Sequence, residues 1–310
     1  MSTSKRYIAQ VVNGIVLVNK PQGLSSNAVL QRVKHLFKAK KAGHTGSLDP
    51  LATGMLPICF GEATKFCQYI LDADKCYEAT GLLGITTDTG DSMGQVISEA
   101  SALSVSEHHL REILPSFLGE IQQVPPMYSA LKHQGKPLYH YARQGISIER
   151  PARTLVISDL MLNAFENPSF DLTITCSKGT YIRSLVESIG DALQVGAHVT
   201  RLHRTYTAGF EGERMYTLDE LINYSEPQLI ETLLPMDRAV MHLPSCVISS
   251  DNLAVLRNGQ QVIFSSTSIA PGLVRLYEVS GEFLGLGELL DSQTLVSKRL
   301  FAFESVHQVI

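Results

Sequence analysis

The chain has 310 residues, 44% of them apolar and 18% charged, which suits about two globular domains and excludes the disordered and fibrous classes. A net charge of −4 argues against a polyanionic partner only if the charge is evenly spread. It is not: residues 1–65 carry Lys5, Arg6, Lys20, Arg32, Lys34, Lys38, Lys40, Lys41 and Lys65 against only Asp49 and Glu62. Charges beyond a Debye length of about 8 Å are screened, so this basic segment fits phosphate binding and a solvated face equally well.

In chain order, GIVLVNKP (14–21) reads as a buried strand stopped by Pro21 and Gly23. Ser25 or Ser26 can cap a helix to about Phe37, with Val29, Leu30, Val33 and Phe37 on one face. A Gly-rich loop, GHTGSLDPLATG, covers 43–54; MLPICF follows as a strand and GEATKFCQYIL as a short helix. Another strand is expected over 76–85, then the turn-rich TTDTGDSMG. SEHHLREILPSFLG (106–119) begins as a helix that Pro115 ends or kinks. Residues 124–145 read as a loop and then a helix, 153–163 and 170–176 as strands, and 180–193 as a helix after the turn Ser177–Gly179. From about 245 onward the pattern is one of short strands with Gly turns, and 234–244 is the candidate linker.

No apolar run reaches the ~20 residues of a membrane helix, and MSTSKRYIAQVVNG shows no secretory signal. Cys59, Cys67, Cys76, Cys176 and Cys246 are odd in number and lack CxxC spacing, as for reduced cytoplasmic thiols rather than disulfides or zinc ligands. DTGD (88–91) lacks the spacing and terminal Glu of a calcium loop. The expectation is a cytoplasmic protein with no metal and no membrane segment.

The chemistry concentrates in GHTGSLDPLATG. Pro50 biases Asp49 toward an extended conformation, and Gly43, Gly46 and Gly54 allow another backbone to come close. From the loop alone, an active carboxylate and a plain turn are equally good readings. The loop and its continuation to Lys65 closely resemble the signature of bacterial tRNA pseudouridine synthases of the TruB type. So do GIVLVNKPQGLSSN, GITTDTGDSMG, VPPMYSALKHQGKPLY and CSKGTYIRSLVESIG, in order, across most of 14–190.

The resemblance implies an α+β fold: a largely antiparallel mixed sheet with flanking helices over 1–240, and a small C-terminal β-barrel of PUA-like type over 245–310. It implies a cofactor-free isomerase, a cytoplasmic monomer that needs no protein partner and converts uridine-55 in the T arm of tRNA. Asp49 takes the place of the family's catalytic carboxylate, with Tyr77 and Arg183 as further catalytic residues. His44, Tyr77, Tyr181, Leu202 and Lys20 fall at its substrate-contacting positions. Such a reaction breaks N1–C1′ and rejoins the base through C5, so Asp49 either attacks C1′ or removes a proton from C2′; the sequence does not choose. Tyr128, Lys132, Lys136, Tyr139, Tyr141 and Arg143 interleave charge and rings as an RNA-contacting segment would. Arg257, Arg275, Lys298 and Arg299 either meet phosphates or solubilise the C-terminal domain. The competing readings are a non-catalytic RNA-binding or RNA-remodelling protein on the same scaffold, and a glycoside hydrolase with a second carboxyl near Asp49.

Overall fold

The computed structural model describes residues 9–264 and 269–301; Lys5, Arg6 and the end of the last expected strand, SKRLFAF, lie outside them. The apolar strand Gly14–Lys20 pairs antiparallel with Thr53–Phe60, and both are buried almost throughout. They begin an eight-stranded sheet that continues through Ala197–Thr207, Lys75–Leu83, Ser169–Cys176, Arg153–Glu166 and Gly119–Gln123. Ala42–His44 pairs antiparallel with Ile58–Phe60 of Thr53–Phe60, on the side away from Gly14–Lys20. Every pairing is antiparallel except one, where His203 and Arg204 run parallel to Thr53 and Gly54. The expected mixed, largely antiparallel α+β sheet is what forms.

Helices cover the sheet where their apolar stripes demand it. Ser25 caps Ser26–Leu36, its hydroxyl accepting from the Ala28 N–H at 3.2 Å, and Val29, Leu30 and Val33 face the core. Ile182–Ala192 buries Leu185, Val186 and Ile189 against the strands that carry Tyr77 and Leu202. The helix expected over 106–119 is a true helix only for Glu107–Ile113. Pro115 lies in the 3-10 turn Leu114–Phe117 that follows, as a residue without an N–H requires.

Three parts of the pattern differ from the sequence reading. Ala197–Thr207 is a central strand that the sequence reading left unassigned. Residues 124–145 yield only a short ribbon, Lys132–His133 with Lys136–Pro137, and the helix Leu138–Ala142. The C-terminal region holds a helix, Ser250–Arg257, where strands alone were expected; Ser249 caps it and Leu253 and Leu256 are buried. Around that helix, Ser245–Ile248, Val262–Ile263, Gly272–Glu278, Phe283–Leu289 and Thr294–Leu300 form a curled, half-barrel sheet. Among the described residues no helix is long and apolar enough to cross a membrane.

The stretch 234–244 is not a loose tether. It contains the 3-10 turn Met236–Val240, with Ala239 and Val240 buried in one cluster with Ile15, Phe66, Leu286 and Phe301. Phe66 meets Phe283 at 5.7 Å and Phe301 at 5.5 Å between ring centroids, which welds the half-barrel to the large sheet. Phe66→Ala should therefore cost about 3–5 kcal/mol, read as a lower urea midpoint for the whole chain. A loss under about 1 kcal/mol would show that this seam contributes little.

Candidate active site

The loop after Ala42–His44 is held from three sides. The Thr45 N–H donates to the Pro57 carbonyl at 3.0 Å. The buried Ser26 hydroxyl accepts from the Leu48 N–H at 2.7 Å and donates to the Leu48 carbonyl at 2.9 Å. The Ala52 N–H then donates to the Asp49 carbonyl at 3.1 Å, closing a turn across Pro50. Leu48 and Leu51 point into the core, and Asp49 between them is left 41% exposed on its side chain. The loop anchors by its leucines and presents its carboxylate.

Beneath the loop lies Arg204, fully buried. Its Nε donates to the Met55 carbonyl at 2.6 Å and its Nη2 to the Gly46 carbonyl at 2.8 Å. Gly46 adopts φ +74°, and a Cβ there would lie 3.1 Å from the Arg204 Nη1. Only glycine meets both demands.

Arg183, on the first turn of Ile182–Ala192, is the partner of Asp49: Nε to Oδ2 is 2.9 Å, and the arginine side chain is 4% exposed. Its Nη1 donates to the Thr89 carbonyl and its Nη2 to the Tyr128 carbonyl, the latter at 2.7 Å. Asp91 stands 3.9 Å from the same Nε. Asp91 is itself fixed, its Oδ1 accepting from the Thr89 hydroxyl at 2.7 Å and the Met93 N–H at 3.0 Å. The other Asp49 oxygen, Oδ1, has no partner among the described residues. Enclosure raises the Asp49 pKa above its ordinary value; Arg183 opposes that rise and the negative charge of Asp91 adds to it.

Tyr77 and Leu202 sit on the adjacent strands Lys75–Leu83 and Ala197–Thr207, in one cluster with Leu48, Leu51 and Ala52. Burial pushes the Tyr77 hydroxyl up, against the opposing influence of Arg204. Tyr181 caps the Arg183 helix, and Gln123 braces its backbone by accepting from the Tyr181 N–H at 2.8 Å and donating to its carbonyl at 3.0 Å. Burial raises the Tyr181 hydroxyl as well. Lys20 is fully buried and donates to the Ala52 carbonyl at 2.7 Å and the Pro21 carbonyl at 2.9 Å. Burial lowers its pKa to about 8, with Asp49 acting in the opposite sense. His44 is lowered by burial and then by Arg204, which keeps its ring neutral at neutral pH.

Asp49 and Arg183 are thus joined directly. Tyr77 and Leu202 pack against the leucines of the loop, and Lys20 grips its end. His44 precedes the loop on its entry strand and makes no bond to Asp49. A cleft of about 490 Å³ shares Lys20 and Thr53 with this region, and Arg32, His203 and Ile222 also line it. Asp49 does not border that cleft.

Asp91, Arg204 and Ser26 were missed as functional residues. In sequence, DTGD belongs to a family motif block and lacks the spacing of a calcium loop, but neither fact marks Asp91 as a residue facing Arg183. The basic segment is less available than its sequence suggests: Lys38 pairs with Glu226 at 3.0 Å, Lys65 with Glu62, and Lys20 is internal. Within 128–143 the Tyr141 hydroxyl donates to the His133 carbonyl at 3.1 Å and Arg143 lies 5.3 Å from the Tyr139 ring centre, so part of that segment's chemistry is spent on itself.

Residues 34–182 match the family described as "TruB family pseudouridylate synthase (N terminal domain)". Residues 183–241 match "tRNA pseudouridylate synthase B C-terminal domain", and 244–301 "Pseudouridine synthase II TruB, C-terminal". The chain is 53% identical over 292 residues to tRNA pseudouridine synthase B of Legionella pneumophila subsp. pneumophila strain Philadelphia 1, covering 94% of this chain and 96% of that protein. It is 48% identical over 293 residues to the protein of that name in Actinobacillus pleuropneumoniae serotype 5b, covering 93% and 96%. Among solved structures, one from a Cbf5-Nop10-Gar1 complex superposes with a TM-score of 0.71 at 27% identity, covering 94% of this chain and 86% of that one.

Ser26→Ala removes both hydrogen bonds that hold Leu48 and leaves a buried N–H and carbonyl unmatched. The expected loss is about 1–3 kcal/mol, measured by equilibrium unfolding. A variant as stable as the parent would mean that the turn at Asp49–Ala52 holds the loop without Ser26.

Proposed function

We propose that this chain, which belongs to the TruB family of pseudouridylate synthases, isomerises uridine to pseudouridine in tRNA, at uridine-55 of the T arm, with Asp49 as the catalytic carboxylate. The observation that carries this reading is the Asp49–Arg183 pair: one carboxylate oxygen bound at 2.9 Å to a buried guanidinium, the other without a partner among the described residues, on a side chain that is partly exposed. We read the site of action as the cytoplasm, the active species as a monomer, and the division of labour as catalysis by 1–240 with RNA binding by the PUA-like 245–310.

The reaction conserves every atom of the base. The N1–C1′ bond breaks, uracil turns, a C5–C1′ bond forms, C5 loses its proton and N1 gains one. A base stacked in RNA is beyond reach, so the nucleotide must leave the stack and enter a closed pocket. Tyr77 and Leu202 supply flat and apolar surface for it beside Asp49. Departing uracil carries negative charge, and Lys20 and Arg204 favour it, because both are buried cations bonded to carbonyls rather than carboxylates. Asp49 acts through its free oxygen, either adding to C1′ as N1 leaves and departing again when C5 attacks C1′, or taking the C2′ proton and returning it to C2′ as the C5–C1′ bond forms. With its hydroxyl pushed up, Tyr77 is a poor free base; it takes part in C5 deprotonation as a relay that accepts the C5 proton as its own passes to the once more ionised Asp49, which then loses it to solvent.

The hydrolase reading needs a second carboxyl able to protonate a leaving group. Asp91 is the nearest to the Arg183 end of the site, but it is buried and committed to Thr89, Met93 and Arg183. In the C-terminal half-barrel, Arg275 donates to the Leu243 carbonyl at 2.9 Å and Lys298 pairs with Glu288 at 2.8 Å. Exposed Arg299 is the better placed to meet phosphate.

The test is incubation with unmodified tRNA and position-resolved detection of pseudouridine. The parent should convert one T-arm uridine. Asp49→Asn should bind the tRNA and convert none; turnover within a few-fold of the parent would remove Asp49 from the chemistry.

The pH profile checks the pair. Arg183 holds the Asp49 pKa below where burial alone would leave it, so removing its charge raises that pKa further. In Arg183→Met the acid limb of the single-turnover rate should move to higher pH, along with a lower maximum. Arg183→Lys, which keeps the charge and loses the fork, should lower the maximum with a smaller displacement of the limb. An acid limb unmoved in the Met variant would make Arg183 an RNA contact instead.

A further inference from the structure

Glu187 lies one turn beyond Arg183 on the helix Ile182–Ala192 and is only partly exposed. Its carboxyl rests against Gly90: a Cβ on that glycine would come within 2.9 Å of the Glu187 Cδ and Oε1 and 3.1 Å of Oε2. Gly90 is the middle of the turn that delivers the Thr89 carbonyl and the Asp91 carboxylate to Arg183. The far side of that turn is pinned by the Val199 N–H, which donates to the Gly90 carbonyl at 3.0 Å. The turn is therefore clamped between a central strand and one glutamate side chain. No hydrogen bond or ion pair joins that glutamate to another described residue.

The charged groups acting on Glu187 are Arg183 and Asp191 from its own helix and Asp91 from the turn. Burial raises its pKa to about 7, with Arg183 opposing and the two aspartates adding. An ionised Glu187 would place another negative charge beside Asp91 and compete with Asp49 for the Arg183 guanidinium. A neutral carboxyl avoids both and keeps the shape that fills the space over Gly90.

We propose that Glu187 is a positioning residue that works as a neutral carboxylic acid, bracing the Thr89–Gly90–Asp91 turn so that Arg183 stays aligned on Asp49. The proposal rests on Asp49 as the reacting carboxylate and adds to that reading a group whose ionisation weakens the site from behind. Glutamine reproduces the neutral acid in size and polarity; alanine removes the brace.

The test is the single-turnover rate on unmodified tRNA from about pH 6 to about pH 9 for the parent, Glu187→Gln and Glu187→Ala. The Gln variant should match the parent within about two-fold at the acid end and exceed it several-fold at the alkaline end. Lys20 titrates in the same window but is present in all three, so the ratio of Gln variant to parent isolates Glu187. The Ala variant should be about ten-fold slower at both ends, a loss of about 1.4 kcal/mol at the transition state. Profiles of parent and Gln variant that superimpose would overturn the proposal, as would a Gln variant as slow as Ala at the acid end. Independently of turnover, the Glu187 carboxyl carbon in 13C-glutamate-labelled protein, assigned by its disappearance in the Gln variant, should titrate near 7. A midpoint at the ordinary carboxylate value of about 4.3 would overturn it even where Ala fails to fold. If the parent made no pseudouridine, the functional reading would fall, while the titration would still judge the charge state of Glu187.

Discussion

An arginine cannot shed its charge in a protein, and a guanidinium shut away from water without acceptors costs several kcal/mol. Arg183 is shut away, and its acceptors come from three separate stretches of chain: Asp49, Thr89 with Asp91, and Tyr128. Those stretches must converge for the buried charge to be compensated. The same convergence builds the candidate site, because the group that satisfies Nε is Asp49, the carboxylate we propose as catalytic. Asp91 and Asp49 divide the work by environment. Asp91 is buried and bound on both sides, so it holds the arginine; Asp49 is open and has an oxygen to spare.

The opposite side of the loop carries charge of a different kind. Lys20 and Arg204 give their donors to main-chain carbonyls, whose dipoles offset only part of a full positive charge. The loop thus lies between a neutralised arginine and two cations that are not neutralised. That asymmetry suits a reaction whose intermediate base is an anion. It also explains why His44, close enough to feel Arg204, stays neutral: a further positive charge there would be repelled as well as desolvated.

The parts of the site legible in sequence are those that local chemistry dictates. Asp49 before Pro50, the glycines of 43–54 and the strand 14–20 can be read residue by residue; the ordered motif blocks contain Lys20, Tyr181 and Arg183, while Tyr77 and Leu202 lie outside those blocks and follow only from the family resemblance. What escaped depends on contacts far apart in the chain. The strand Ala197–Thr207 is interrupted twice, between Val199 and Arg201 and between Arg204 and Tyr206, where its register against Lys75–Leu83 slips. Each slip breaks the period-two alternation by which a strand is recognised. Its buried Arg204 also looks like a surface residue until the carbonyls of Gly46 and Met55 are brought to it. Asp91 escaped for a related reason, since nothing in DTGD says that an arginine ninety residues on will reach it.

Counting charge along the chain also misjudges how the RNA-facing surface relates to the chemistry. Of the nine basic residues in 1–65, Lys20 is internal and Lys38 and Lys65 are paired, so the segment attracts phosphate less strongly than its composition implies. The stretch 128–143, by contrast, is tied to Arg183 through its main chain. The Tyr128 carbonyl is one of the acceptors that fix Arg183, and the Tyr128 hydroxyl donates to Asp88 at 3.1 Å, in the loop that holds another. A displacement of this segment would cost the guanidinium one acceptor and disturb a second. Whatever docks on 128–143 therefore acts on the counter-ion of Asp49 without touching Asp49 itself, which makes the alignment of the carboxylate depend on how that segment is seated.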